Sequence, residues 1–255
     1  NLEKYSSVDI TVIDKCNHNV FQPMLYQVAT GFIPITNVAV ALRSMITHKT
    51  TFINDEVIQV DFIKKTVNCR KYTTHYDFLI IATGSKYFYF NQPQWKPHTL
   101  SLKTAYDAIK MKNHILQLFE KAEFEIEPNT KREQLTFTII GGGATGVEIC
   151  GAITDMVNSK FLKKFKKISL KDINVILIEA GDRLLSSFHE KSSQHAFDSL
   201  TKKNVTIKLN EKVTNIEENL VTTNKCKYHT KTIIWCASLI SEFKEINSTL
   251  PMDEQ

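Results

Sequence analysis

Long apolar runs are missing from this 255-residue chain. No stretch approaches the ~20 residues needed to cross a bilayer, and no signal peptide opens the sequence, which predicts a soluble or peripheral protein. Cysteine is sparse and follows no pattern. Cys16, Cys69, Cys150, Cys226 and Cys236 are odd in number and widely spaced, so neither a metal-ligand spacing nor a close redox pair is present, and reduced thiols are expected. Basic residues exceed acidic ones by five, but they are scattered and no aromatic-rich basic stripe accompanies them, so no nucleic-acid partner is expected. Repeats and low-complexity tracts are absent as well. The chain starts at Asn1 without an initiator methionine and stops at "PMDEQ" with no closing element, the pattern expected of a cut chain. What is present, 42% hydrophobic and 23% charged residues, suffices for one large core or two modest ones.

The hydrophobic pattern predicts an α/β protein. "VDITVID" (8–14) is a β-branched run that closes on Asp14 and predicts a buried parallel strand. Helical spacing over 35–47 predicts a helix, and "VIQVDF" (57–62), "TVNCRKY" (66–72) and "DFLIIATG" (77–84) predict strands. A long amphipathic helix is predicted over 102–123, followed by a polar connector, with a domain boundary between about 123 and 135. From "LTFTIIGGG" a second α/β unit follows, with helices over 144–157 and 188–202. Its strands are predicted at 174–180, 205–209, 212–216, 219–223 and 231–236.

Chemistry concentrates in "TIIGGGATGVEIC" (138–150), where an apolar run ends in glycines. Gly141, Gly143 and Gly146 stand at the spacing of a dinucleotide-binding turn: the first for the tight strand-to-helix turn, the second for close approach of a pyrophosphate, the third for helix–sheet packing. The helix N-terminus then offers N–H groups and a positive dipole end to phosphates. Glycine turns also serve packing alone. Glu179 closes the next strand, where a carboxylate accepts hydrogen bonds from the adenosine ribose hydroxyls; a solvated strand end is the plain alternative. It lies 33 residues after Gly146, and "NSKFLKKFKKISLKD" reads as an insertion that explains the extra length. Asp14 repeats the signature one unit earlier, as either a ribose ligand or a turn former.

Several of these stretches resemble the bacterial type II NADH:quinone oxidoreductases in collinear order. They are "ITVIDKCNHNVFQPMLYQVATG", "YDFLIIATGS", "LKTAYDAIKMKNHILQLFEKAE", "LTFTIIGGGATGVEICGAITDM", "NVILIEAGDRLL" and "TIIWCAS". The resemblance implies two Rossmann-like dinucleotide-binding domains, an NADH domain (135–240) inserted into an incomplete FAD domain (1–123, with the start of a return at 241–255). It places Asp14 and Lys15 by the FAD ribose, Gln22 toward the flavin, Val57 at the adenine, and Ala82, Thr83 and Gly84 where the domains cross. Gly141, Gly143, Gly146 and Glu179 fall at NADH. Ala237 and Ser238 stand for the family's Ala-Gly turn near the nicotinamide, with Ser238 a departure. Glu148 corresponds to a glutamate facing the nicotinamide–flavin junction and is the implied catalytic residue.

The implied activity is hydride transfer from NADH to FAD, then two electrons to a quinone without proton pumping, peripherally at the cytoplasmic face of the inner membrane; the resemblance allows a homodimer in the intact parent without requiring one. The first FAD glycine turn, the Gly-Asp motif and the C-terminal membrane segment are not in this sequence, so an internal fragment is expected, inactive alone. A flavin-dependent reductase with a soluble acceptor of the ferredoxin or rubredoxin type, and an NAD-binding fragment lacking FAD, are the competing readings. Lesser features have plain explanations too: "KFLKKFKK" (160–167) as a solvated helix face before a lipid contact, His18 as a turn residue, Met24, Leu25 and Tyr26 as core, and Cys236 as an inert strand cysteine.

Overall fold

The computed structural model describes residues 2–243, so most of the predicted return segment 241–255 lies outside the described residues. It is a mixed α/β structure of two compact units. One unit comprises the described parts of Asn1–Phe21, Thr36–Lys86 and Leu239–Gln255; the other comprises Gln22–Ile35 and Tyr87–Ser238.

The second unit is built on a four-stranded parallel sheet in the order Val205–Lys208, Asn174–Ile178, Thr136–Ile140, Thr232–Trp235. Every residue of Thr136–Ile140 is buried, as a central parallel strand covered on both faces requires. The helix Ala144–Asn158 turns eight residues inward, among them Ile149, Ile153 and Val157. The helix Ala105–Phe124 is held at its start by a capping box in which Thr104 and Asp107 satisfy each other's backbone N–H groups. Its buried stripe of Ala108, Met111, Ile115, Leu118, Phe119 and Ala122 follows the 3.6-residue period. A three-stranded antiparallel sheet (Val213–Glu217, Leu220–Thr223, Lys227–His229) and a cluster around Trp95, Ile178 and Trp235 complete this unit.

In the first unit Ile10–Asp14 pairs in parallel with Thr50–Asn54, and Val57–Asp61, Thr66–Cys69 and Thr73–His75 form an antiparallel sheet. Val60, Val67, Cys69 and Phe243 make its core.

Six expectations need correction: the strand Ile10–Asp14 is parallel but half-buried, with Thr11 exposed, His18 lies in a strand and not a turn, and four longer segments differ. Residues 35–47 are not one helix: a single turn at Ile35–Asn37 leads into the strand Ala39–Ala41 and the short helix Leu42–Met45. The strand pairs with His18–Val20, and the Phe21 and Leu42 N–H groups donate across the same ladder, so β-branched Val40 follows its extended preference. The stretch 77–84 forms no strand; Phe78 is 94% and Ile80 79% exposed, since an apolar run becomes a parallel strand only where a neighbour supplies the ladder, and no described residue does. The connector after 123 contains a helix, Pro128–Gln134, started by Pro128 and by a Glu127 carboxylate that accepts the Thr130 N–H. "KFLKKFKK" is no helix beyond one turn at Leu162–Lys164, because Phe161 and Phe165 pack edge-on and tilted against Phe119 and fix the chain locally.

Candidate functional site

The buried strand Thr136–Ile140 runs into Gly141 at φ 107°, a conformation that L side chains rarely adopt. The neighbouring strand explains the need. Cys236 donates its N–H to the Ile140 carbonyl at 2.8 Å, and a Cβ on Gly141 would stand 2.7 Å from the Ala237 nitrogen. A Cβ on Gly146 would overlap the Gly141 carbonyl oxygen, so helix and turn touch backbone to backbone. Gly143 differs from both. It is exposed, nothing lies within 4 Å of a Cβ built there, and it is the N-cap of the helix Ala144–Asn158 without any side-chain cap. A helix N-terminus that keeps its N–H groups clear of capping side chains, beside open space, is suited to an anion.

Glu179 follows the strand Asn174–Ile178 and reaches back over this turn. One carboxylate oxygen accepts the Gly142 N–H at 2.6 Å and the other accepts the Gly181 N–H at 2.7 Å. Two charge-assisted bonds fix the carboxylate's direction and leave it spare lone pairs for hydroxyl donors. Sequence spacing missed both partners. Gly142 is constrained as Gly141 and Gly146 are, since a Cβ there would meet Leu184 at 2.7 Å and Glu179 at 3.0 Å; the run of three consecutive glycines was the signal. Arg183, the cation nearest in sequence, is committed elsewhere: its guanidinium donates to the carbonyls of Ser186 (2.5 Å) and Phe188 (3.1 Å), and Leu185 N–H donates to Gly142 O.

Ala237 thus lies against Gly141, while Ser238 is exposed at φ 51°, in the left-handed region that glycine occupies at no cost. Burial pushes the Cys236 thiol up to about 12 and that of Cys150 well above its usual value, so both are poor nucleophiles. Glu148, in the second turn of the fingerprint helix, is exposed, and partial loss of water raises its carboxyl above the ordinary 4.5. The structure therefore gathers Gly141, Gly143, Gly146, Glu179 and Ala237 around one turn.

In the first unit Asp14 ends its strand with one carboxylate oxygen accepting the Cys16 N–H at 2.8 Å, and its carbonyl accepts the Asp55 N–H, two residues before Val57. Lys15 forms an ion pair with Glu242 at 2.8 Å, which raises the lysine pKa, and the Glu242 N–H donates to the Gly84 carbonyl. Lys15 and Gly84 are thus linked through Glu242, a residue the sequence did not single out, and Asp14 is bonded to Asp55. Ala82 and Thr83 are exposed and outside any strand; Gln22 is exposed at the head of the turn Gln22–Met24 and belongs to the second unit.

Comparison with known proteins bears on this turn. The profile of the pyridine nucleotide-disulphide oxidoreductase family matches residues 1–245. A type II NADH:quinone oxidoreductase of Mycobacterium tuberculosis is 32% identical over 225 residues, covering 86% of this chain and 49% of that protein. An external alternative NAD(P)H-ubiquinone oxidoreductase of Solanum tuberosum mitochondria is 27% identical over 232 residues, covering 85% and 40%. The structure of NDH2 from Plasmodium falciparum in complex with NADH superposes with a TM-score of 0.84 at 25% identity, covering 94% of this chain and 51% of that one. The chain spans about half the length of these relatives.

Proposed function

The chain belongs to the pyridine nucleotide-disulphide oxidoreductase family, and from that premise we propose that it carries the NADH site of a type II NADH:quinone oxidoreductase. The observation that carries this reading is the turn at 141–146. Gly141, Gly142 and Gly146 are demanded by packing, but Gly143 faces open space at an uncapped helix start, where packing asks for nothing and a pyrophosphate fits. Glu179, fixed by Gly142 and Gly181, accepts the ribose hydroxyls and repels a 2′-phosphate. Arg183, the nearest cation in sequence, turns its guanidinium to two carbonyls. NADH is therefore preferred over NADPH. Ala237 and Ser238 stand toward the nicotinamide half.

For FAD the fit rests on the first unit. The strand-end carboxylate of Asp14 is directed by the Cys16 N–H and has acceptor capacity to spare for a ribose, with Lys15, Val57 and Ala82–Gly84 as the further residues of this unit that would hold the group. A bound flavin supplies acceptance of hydride and delivery of two electrons to quinone. What the protein contributes is placement and electrostatics. Glu148, with its raised carboxyl pKa, holds a proton more readily than an ordinary glutamate and is assigned a proton relay. Residues 135–240 act as the NADH domain and 1–123 with the return segment as part of the FAD domain. Attachment is peripheral at the cytoplasmic face of the membrane, with a homodimer as the assembly; among the described residues no helix is long and apolar enough to cross a bilayer.

Calorimetric titration of the chain with NADH and, separately, FAD tests the reading. NADH should bind and Gly143→Val should abolish that binding without lowering the melting temperature, since open space surrounds the position. Absence of NADH binding by the parent chain removes the reading.

A further inference from the structure

The insertion between the fingerprint helix and the strand Asn174–Ile178 is not used by the dinucleotide site. Residues 160–171 hold six lysines and no acidic residue. Four of their apolar members point inward: Leu162 and Ile168 are buried, and Phe161 and Phe165 pack on Phe119 of the helix Ala105–Phe124. The backbone is pinned as well, since Glu123 accepts the Lys166 and Lys167 N–H groups and the Lys131 ammonium donates to the Lys167 carbonyl. The consequence is a cationic knuckle of fixed shape, its lysines exposed.

Large apolar side chains stand exposed beside it. Phe124 is 74% exposed with the Lys167 ammonium 5.4 Å over its ring, Ile126 is 93% exposed, and Leu170, three residues beyond Lys167, is 53% exposed. The neighbouring stretch 121–132 adds three basic and three acidic residues and is neutral. Its carboxylates are turned to local N–H groups: Glu123 as above, Glu125 to Ile126 and Glu127, and Glu127 to Thr130. The excess positive charge of the knuckle is thus not cancelled.

We propose that this face, Phe124 to Ile126 with Lys160 to Lys171, rests on an anionic lipid surface. Positive charge attracts the headgroups, and the protruding phenylalanine, isoleucine and leucine enter the boundary between headgroups and acyl chains. A nucleic acid would have no use for isolated Ile126 and Leu170; interleaved cations and single apolar tips suit a fluid surface. The surface is separate from the turn at 141–146 and does not depend on the redox reading.

Sedimentation of the 255-residue chain with vesicles tests it, using phosphatidylcholine alone and an equimolar mixture with phosphatidylglycerol, at low and high salt. Binding is expected only to the mixed vesicles, weakening as salt rises. Replacing Lys163, Lys164, Lys166 and Lys167 by alanine keeps the backbone bonds to Glu123 and should reduce partitioning roughly a hundredfold or more. Melting temperature and NADH titration of this variant should stay unchanged, which separates a lost lipid contact from a lost fold or a failed dinucleotide site. Phe124→Ser should weaken binding several-fold with the lysines intact. Equal binding to neutral vesicles, binding that survives the quadruple substitution, or indifference to Phe124 overturns the proposal. So does self-association that the quadruple variant abolishes while vesicles remain unbound, which would assign the face to a second copy of the chain.

Discussion

Glu179 is the residue on which the dinucleotide reading turns, and its two roles can be separated. Its carboxylate accepts two backbone N–H groups and is proposed to meet the ribose. Glu179→Gln keeps one acceptor oxygen but loses the charge, so NADPH should gain affinity relative to NADH; the ratio of their dissociation constants should fall toward unity, measured by titration. Glu179→Ala leaves two part-buried donors without partners and should also cost about 1–3 kcal/mol in denaturant unfolding. Ser238 offers the opposite test. At φ 51° it sits where a left-handed conformation costs an L residue roughly 1–2 kcal/mol. Part of that gain is offset by glycine's freer unfolded chain, so Ser238→Gly should stabilise by about 0.5–1 kcal/mol in the same assay. For Glu148 the sign follows from its raised pKa. The native state binds the proton more tightly than the unfolded one, so stability is fully present below the unfolded carboxyl value of 4.5 and declines as pH rises through the raised native value. Glu148→Gln should therefore match the parent in acid and exceed it slightly at neutral pH; under the proposed proton relay it should also slow quinone reduction roughly tenfold, about 1.4 kcal/mol of transition-state stabilisation.

At the scale of elements, the helix Ala105–Phe124 shows where sequence patterning is sufficient. Its periodic apolar stripe and its Thr104–Asp107 cap are local signals, and both are realised. Thr104→Ala should cost about 1 kcal/mol, and Phe119→Ala, which empties a fully buried ring site shared with Phe137, Phe161 and Phe165, about 3–5 kcal/mol. Thermal denaturation distinguishes the two, the second variant melting far lower. The strand–turn–helix at 136–158 was legible for the same reason: a buried β-branched run, glycines at fixed offsets and a helical period stand next to each other in sequence. Elements set by distant partners were not. Residues 35–47 carry a helical spacing, but pairing with His18–Val20 decides their conformation, and that ladder spans residues far apart in the chain. The apolar stretch 77–84 shows the converse, a strand pattern without a ladder. Gly142 and Gly181 escaped notice because their constraint comes from Glu179 and Leu184, not from turn spacing.

At the scale of the molecule, two units share the chain unequally in evidence. The second holds a buried parallel sheet, a glycine turn packed backbone to backbone at Gly141 and Gly146, and a carboxylate directed over it. The first holds Asp14 linked to Asp55, and Lys15 tied to Glu242 and so to Gly84, a smaller set of fixed groups. The account accordingly stands or falls on the second. Calorimetric titration of the 255-residue chain with NADH and with NADPH, side by side at one salt concentration, measures the claim without requiring turnover. A single NADH site bound at least about tenfold more tightly than NADPH, a difference of about 1.4 kcal/mol, is the predicted result. Equal affinities, or no heat with either nucleotide, would contradict it, leaving the turn at 141–146 as backbone packing and Glu179 as its fastening alone.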